Sequence, residues 1–233
     1  FSYSKKLKIF SLIFSILVLI INFLYGELVI RKNDKIDEIN LGFSIKIISP
    51  KIDINRFFLN EGPEKIIFDL IKLSEPDISK NTIFIFPEGV LSNVYLKDLK
   101  NYDYIFSKNF SEKHKIVLGI NSYEDSKIYN SMVVIDNDVN ILGKYDKNKL
   151  VPFGEYLPYE NLLSKFGFKK ITQGYQSFSP NSKRNVININ NYNFIPLICY
   201  EIIYSGKIDN ADQDIDFILN ISEDGWFGDS VGP

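Results

Sequence analysis

One cysteine and one histidine in 233 residues leave few places for several kinds of chemistry. A lone cysteine has no internal disulfide partner, and one cysteine with one histidine falls short of the ligands of a structural zinc site. Disulfide scaffolds and zinc folds are therefore excluded. Neither sign of charge is in excess: 27 basic and 29 acidic side chains give a net charge of -2, which carries no mark of a nucleic-acid binder. Any triad that needs a histidine must use His114, and any thiol chemistry must use Cys199. What is plentiful is apolar material. With 45% hydrophobic, 15% aromatic and 24% charged residues, the chain can fill one sizeable core, and a single domain of about 200 residues plus extras is expected.

The apolar residues are unevenly spread. Residues 9–26 read IFSLIFSILVLIINFLYG, eighteen without a charge, preceded by Lys5, Lys6 and Lys8 and followed by Glu27. At 1.5 Å per residue the run is roughly 27 Å long, close to the hydrocarbon thickness of a bilayer, and Tyr25 is placed as an interfacial anchor. A transmembrane helix is expected over 1–27, with its basic flank cytoplasmic. A signal peptide would have a shorter apolar stretch and a small-residue cleavage site, and a buried core helix would show a polar stripe. Phe1 in place of Met, and an end at Val231, Gly232 and Pro233 within a loop-like stretch, predict a C-terminally incomplete piece of a longer, multi-span membrane protein.

Residues 28–40 are expected to form a polar linker to a domain over 41–233. There the pattern alternates. LGFSIKIIS reads as a strand, and 63–75 as a helix opened by Pro63 with Ile66, Ile67, Leu70 and Ile71 on one face. TIFIF at 82–86 is a strand ending in Pro87 and Glu88, and 98–113 an amphipathic helix with Leu99, Tyr102, Ile105 and Phe106 inward. KIVLGI is a third strand; IYNSMVVID and VNILGKY form a hairpin across Asn137 and Asp138, before a Pro/Gly-rich loop at 151–158. NVININ and NFIPLICY make another pair, and DFILNIS a last strand. Such alternation argues for a layered α/β domain.

Three polar residues stand where strands run out: Glu88, Lys147 and Cys199. Each has an ordinary alternative. A cysteine in an apolar strand often packs as inert core, Glu88 fits a turn carboxylate, and Lys147 sits in the charged run KYDKNK.

The text around them bears on that choice. IFPEGV (85–90), GKYDKNKLVPFGEYLP (143–158), LICYEIIY (197–204) and NISEDGWFGDSVGP (220–233) resemble successive signature blocks of the carbon-nitrogen hydrolase (nitrilase) superfamily. More narrowly, KNKLVPFGEYLP with CYEIIY and WFG resembles the bacterial apolipoprotein N-acyltransferase family. The resemblance covers about 41–233 and implies an α-β-β-α sandwich. It makes Cys199 the nucleophile, Glu88 the general base and acid, and Lys147 the cationic partner, with Glu155 helping to hold the lysine. It implies that the Tyr200 amide joins Lys147 in stabilising an oxyanion, ties Tyr200 and Glu201 to activity, and puts Trp226 and Phe227 beside the site. The segment departs from the family's usual Asn-Asp by placing Glu223 before Asp224.

The implied reaction is acyl transfer from a membrane phospholipid, through a thioester on Cys199, to the N-terminal amine of a diacylglyceryl apolipoprotein. The implied place is the periplasmic face of the bacterial inner membrane; no cofactor, metal or nucleic acid is called for. The residue chemistry agrees: an ammonium near a thiol of ordinary pKa about 8.5 favours thiolate, and a carboxylate in reach can take the proton. Two other readings use the same residues differently, a membrane-tethered amidase with water as acceptor and an inactive single-span binding module with Cys199 merely packed. A histidine-dependent hydrolase would need His114, which lies in SEKHK and is expected at the surface.

Overall fold

The computed structural model describes residues 5–33, 42–50, 62–167, 177–207, 214–223 and 225. The chain divides into two units, Phe1–Leu41 and Gly42–Pro233.

In the first, a single helix, α1 (Lys5–Asn33), continues past the charge-free run. It is apolar on every side and its side chains are exposed along its length, with the size and composition to cross a membrane. Two polar side chains in the apolar run are satisfied within the helix, as a hydrocarbon solvent requires: Ser15 Oγ donates to the Ser11 carbonyl and Asn22 Nδ2 to that of Val18, each at 2.9 Å. Arg31 pairs with Glu27 one turn earlier, in the last turn where cations also suit the helix dipole.

The second unit opens with β1 (Ser44–Ile47), α2 (Pro63–Ser74) and β2 (Thr82–Ile85), with β1 and β2 parallel. Helix α2 starts on Pro63 and buries Ile66, Ile67, Leu70 and Ile71, the face its spacing predicts, each worth about 1.5–3 kcal/mol on full burial. After β3 (Leu91–Tyr95), where sequence reasoning placed no strand, the expected helix over 98–113 is instead a 3-10 helix (Leu96–Tyr102) followed by α3 (Asp103–Asn109). Packing explains the change. Three residues per turn align Leu96, Leu99 and Tyr102 on one edge against the core, and the switch to α-helix turns Ile105 and Phe106 inward.

β4 (His114–Glu124) pairs parallel with β2 and β3 and antiparallel with β5 (Lys127–Ile135), which pairs with β6 (Ile141–Asp146). The β4–β5 turn uses Asp125 and Ser126, both at positive φ, a two-residue hairpin without glycine. His114 is not at the surface. It is fully buried, edge-on to Phe84 and Phe110; Nδ1 accepts the Ser111 N–H at 3.2 Å and Nε2 lies 3.0 Å from the Asp77 carbonyl. Starting a strand opposite Thr82 turns its side chain inward whatever its charged neighbours in sequence.

The second sheet holds β7 (Ile187–Ile189), antiparallel to β8 (Tyr192–Ile198), and β9 (Phe217–Ile221), parallel to β8. Period-2 alternation divides the core. Phe84, Ile116 and Leu118 face α2 and α3, whereas Ile83, Val117, Met132, Val134 and Tyr145 face the second sheet and meet Ile187, Phe194, Ile198 and Ile221. Helices, sheet and sheet thus form successive layers, and Cys199 packs at the margin of the inter-sheet core.

Candidate active site

The sheet-facing side of the first sheet becomes polar at one end. On β5, Asn130 continues the row Val134, Met132; just beyond β6, Lys147 continues the row from Tyr145, and its N–H donates to the Asn130 carbonyl at 2.8 Å. Continuing the ladder past β6 sends the Lys147 side chain inward, and it is 1% exposed.

Glu88 reaches the same place from β2. Pro87, with no N–H, ends the strand, and Gly89 at φ 57° turns the chain. The Pro87–Gly89 turn lies directly on β4, where Gly119 donates its N–H to the Pro87 carbonyl at 3.2 Å. A Cβ at Gly119 would sit 2.5 Å from Glu88 Cα and 2.6 Å from the Gly89 nitrogen, so only glycine admits this approach.

Glu155 comes from the 151–158 loop, held by its N–H to the Val151 carbonyl (2.8 Å) and by the Val151 N–H to its Oε2 (2.9 Å). Lys147 Nζ donates to Glu155 Oε1 at 2.9 Å and Glu88 Oε1 at 3.3 Å. Asn130 Nδ2 spans the same two carboxylates, at 2.9 Å and 2.7 Å. Sequence reasoning missed Asn130; the available signal was a polar residue on the inward period of an apolar strand.

Cys199 follows β8 at φ 53°, a left-handed conformation that costs a non-glycine residue about 1–2 kcal/mol. At that turn the sulfur lies in the field of both Glu88 and Lys147, and the Tyr200 N–H beside it favours its charged form. Tyr200 itself is exposed. Glu201 is fully buried and grips the lysine-bearing turn: its carboxylate accepts Tyr145 Oη (2.7 Å), the Asn148 and Lys149 N–H groups (3.0 and 2.9 Å) and the Ile198 N–H (3.0 Å). Five of the sequence-predicted residues, Glu88, Lys147, Glu155, Cys199 and Glu201, are thus joined to one site with Tyr200 at its rim. Trp226 and Phe227 lie outside the described residues.

Burial raises the Glu88 carboxyl above its ordinary 4.5, against the opposing pull of Lys147 and Asn130. Burial also disfavours the Lys147 ammonium, but Glu88 and Glu155 more than offset it and the net shift is upward, so the amine stays charged. Burial and the Glu88 charge raise the Cys199 thiol despite Ser222, Lys147 and the Tyr200 amide. The balance favours the thiol over the thiolate expected from a nearby lysine alone. One ammonium between two carboxylates leaves no surplus positive charge for a third anion. A proton passed from Sγ to Glu88 would leave the local charge unchanged, so the arrangement can form a thiolate without adding charge.

A model of the carbon-nitrogen hydrolase family matches residues 105–233. The chain belongs to that family. The matched stretch includes Asn130, Lys147, Glu155, Cys199 and Glu201, while Glu88 precedes it and joins them through the contacts above. Apolipoprotein N-acyltransferase of Agrobacterium fabrum is 33% identical over 201 residues, 82% of this chain and 38% of that protein. The Bradyrhizobium diazoefficiens enzyme of the same name is 41% identical over 109 residues, 46% of this chain and 20% of its own. The chain thus spans less than two fifths of the length of these curated relatives. A carbon-nitrogen hydrolase from Helicobacter pylori is among the similar solved structures, with TM-score 0.47 and 15% identity over 69% of this chain and 55% of that one.

Asn130 sets one measurable property. Replacing it with Leu removes a donor that favours ionised Glu88, so the carboxyl should rise further and the acid limb of the pH-rate profile for Cys199 modification should move to higher pH. Profiles of both proteins, fitted for that limb, check the direction.

Proposed function

We propose that this domain transfers an acyl chain from a membrane phospholipid to the N-terminal amine of a diacylglyceryl apolipoprotein, through a thioester on Cys199. The observation that carries the reading is the buried Glu88, Lys147, Glu155 cluster beside Cys199, and the similarity to proteins named apolipoprotein N-acyltransferase supports it.

In the first half-reaction Sγ bonds to the ester carbonyl carbon while its proton passes to Glu88. Lys147 Nζ and the Tyr200 N–H stabilise the oxyanion, a role in which one lost donor typically costs about 3–4 kcal/mol. The carbon-oxygen bond to glycerol then breaks, and Glu88 returns the proton to the leaving oxygen, releasing a lysophospholipid. In the second, the amine attacks the thioester, Glu88 takes its proton, and the carbon-sulfur bond breaks as the proton passes to sulfur. A covalent intermediate of this kind gives ping-pong kinetics.

The same reading makes residues 1–27 the membrane-spanning segment, 28–40 a connection whose first residues continue α1 to Asn33, and 41–233 the catalytic domain at the periplasmic face of the inner membrane. Lys5, Lys6 and Lys8 then lie in the cytoplasm, and Arg31 at the opposite end is neutralised by Glu27. Both substrates carry acyl chains, so a site held at the bilayer surface spares their extraction into water.

Incubation with phospholipid bearing a tagged acyl chain should place the tag on Cys199, as read by mass spectrometry, with none in Cys199→Ala and strongly reduced labelling in Glu88→Gln. Discharge of the isolated thioacyl protein by a lipopeptide amine rather than by water separates acyl transfer from amide hydrolysis. A tag on another residue, or undiminished labelling in the two variants, overturns the reading.

A further inference from the structure

The end of β9 meets both reacting groups, although the motif reading singled out only Glu223 there and gave Ser222 no role. The parallel register of β8 and β9 sets Ile198 opposite Ile221, so Cys199 and Ser222 leave neighbouring strand ends as the next residues of each. Two further contacts fix that exit. Asn220 Nδ2 donates to the Cys199 carbonyl at 3.3 Å, and the Glu223 N–H donates to Glu88 Oε2 at 3.3 Å. Ser222 therefore lies between a tie to the Cys199 backbone and a tie to the Glu88 carboxylate, with its hydroxyl within reach of the Cys199 sulfur, where it favours the charged form.

We propose that Ser222 is a further catalytic residue, whose hydroxyl donates a hydrogen bond to the Cys199 sulfur while negative charge is on it. The proposal rests on Cys199 being the nucleophile. Ser222 keeps its own proton throughout: the thiol proton goes to Glu88, and the hydroxyl holds the sulfur lone pair that attacks. When the thioester is discharged, the same donor meets the charge that returns to sulfur as the carbon-sulfur bond breaks.

The need for such a donor follows from the surroundings. Half-buried sulfur next to a carboxylate is a poor place for an anion, and Lys147 already serves two carboxylates. Hydrogen bonds to charged acceptors are about twice as strong as neutral ones, so the hydroxyl favours the charged sulfur over the thiol. The strand register places this donor at the strand end next to Cys199.

Alkylation by iodoacetamide tests the assignment without any lipid. Cys199 is the one cysteine of the sequence, so the rate reports on that sulfur. In the detergent-solubilised protein, Ser222→Ala should slow alkylation near neutral pH about tenfold, the equivalent of losing one hydrogen bond to a charged group. Its pH-rate profile should move to higher pH and approach the parent rate at the alkaline plateau. Ser222→Thr, which keeps the hydroxyl, should restore the parent profile. A folded Ser222→Ala protein with an unshifted profile overturns the proposal, as does a Thr variant as slow as Ala. Because the probe is not an acyl donor, failure of lipid acylation with a serine-dependent alkylation profile would count against the proposed function and not against Ser222.

Discussion

Lys147→Met should lose two to three orders of magnitude in the rate of Cys199 acylation and about 3–5 kcal/mol of stability. Methionine nearly matches the volume of the stem, so the loss is electrostatic rather than a cavity. Without the ammonium, Glu88 and Glu155 face each other through Asn130 alone, both buried. The Glu88 carboxyl, already raised by burial, loses the largest influence that lowers it and becomes protonated closer to neutral pH, where it no longer serves as a base. The sign of the stability effect follows. A carboxyl whose folded pKa is raised above its unfolded one favours the fold below the unfolded pKa, and that contribution is lost as pH rises through the folded pKa. The variant's deficit should therefore shrink as pH falls and widen as it rises, which urea unfolding at about pH 5 and about pH 8 measures. Adding Glu155→Gln to the same protein should recover part of the stability and none of the rate, since it removes one unpaired charge without replacing the oxyanion donor.

Glu201→Gln should cost about 2–4 kcal/mol and most of the turnover together. Its Oε1 accepts Tyr145 Oη, the N–H groups of Asn148 and Lys149 and, at 3.5 Å, the Arg184 guanidinium, an ion pair the variant loses, while Oε2 accepts Tyr145 Oη and the Ile198 N–H. A glutamine oxygen can keep the first set of hydrogen bonds. Its NH2 must then point at the Ile198 N–H, donor against donor, next to the backbone that sets the Cys199 turn. Because this carboxylate also holds the segment carrying Lys147, a shift there moves the Cys199 sulfur and the Lys147 ammonium apart. Tyr145→Phe, which removes one donor and leaves the carboxylate its backbone partners, should cost only about 1 kcal/mol and retain turnover. The Tyr145 hydroxyl suits that donor role, since burial and the Glu201 charge drive its pKa up and keep it protonated. Thermal unfolding of both variants beside single-turnover acylation separates the two effects.

Much of this arrangement was legible in the order of residues. The helical spacing of Ile66, Ile67, Leu70 and Ile71 predicted α2 and its buried face, and the apolar runs predicted β1, β2, β8 and β9 within a residue or two at most ends. Glu88, Lys147 and Cys199 stood out by position at strand ends and by the motifs around them. The break of 96–109 into a 3-10 helix and α3 was not legible, because both halves carry helical spacing and the change of winding is imposed by the core they share. His114 was misread because local charge says nothing about which side of a strand a residue occupies.

Composition and pattern alone excluded disulfide and zinc scaffolds, marked out an apolar segment of bilayer length, and limited thiol chemistry to one sulfur. Those results need only counts and periodicity, which are properties of the chain itself. Asn130 spanning two carboxylates, the bare Gly119 beneath Glu88, the grip of Glu201 on the lysine turn and the place of Ser222 at the sulfur belong to the fold. They depend on two sheets packed face to face and on strand register, and contacts between residues up to 135 positions apart leave no local trace in sequence.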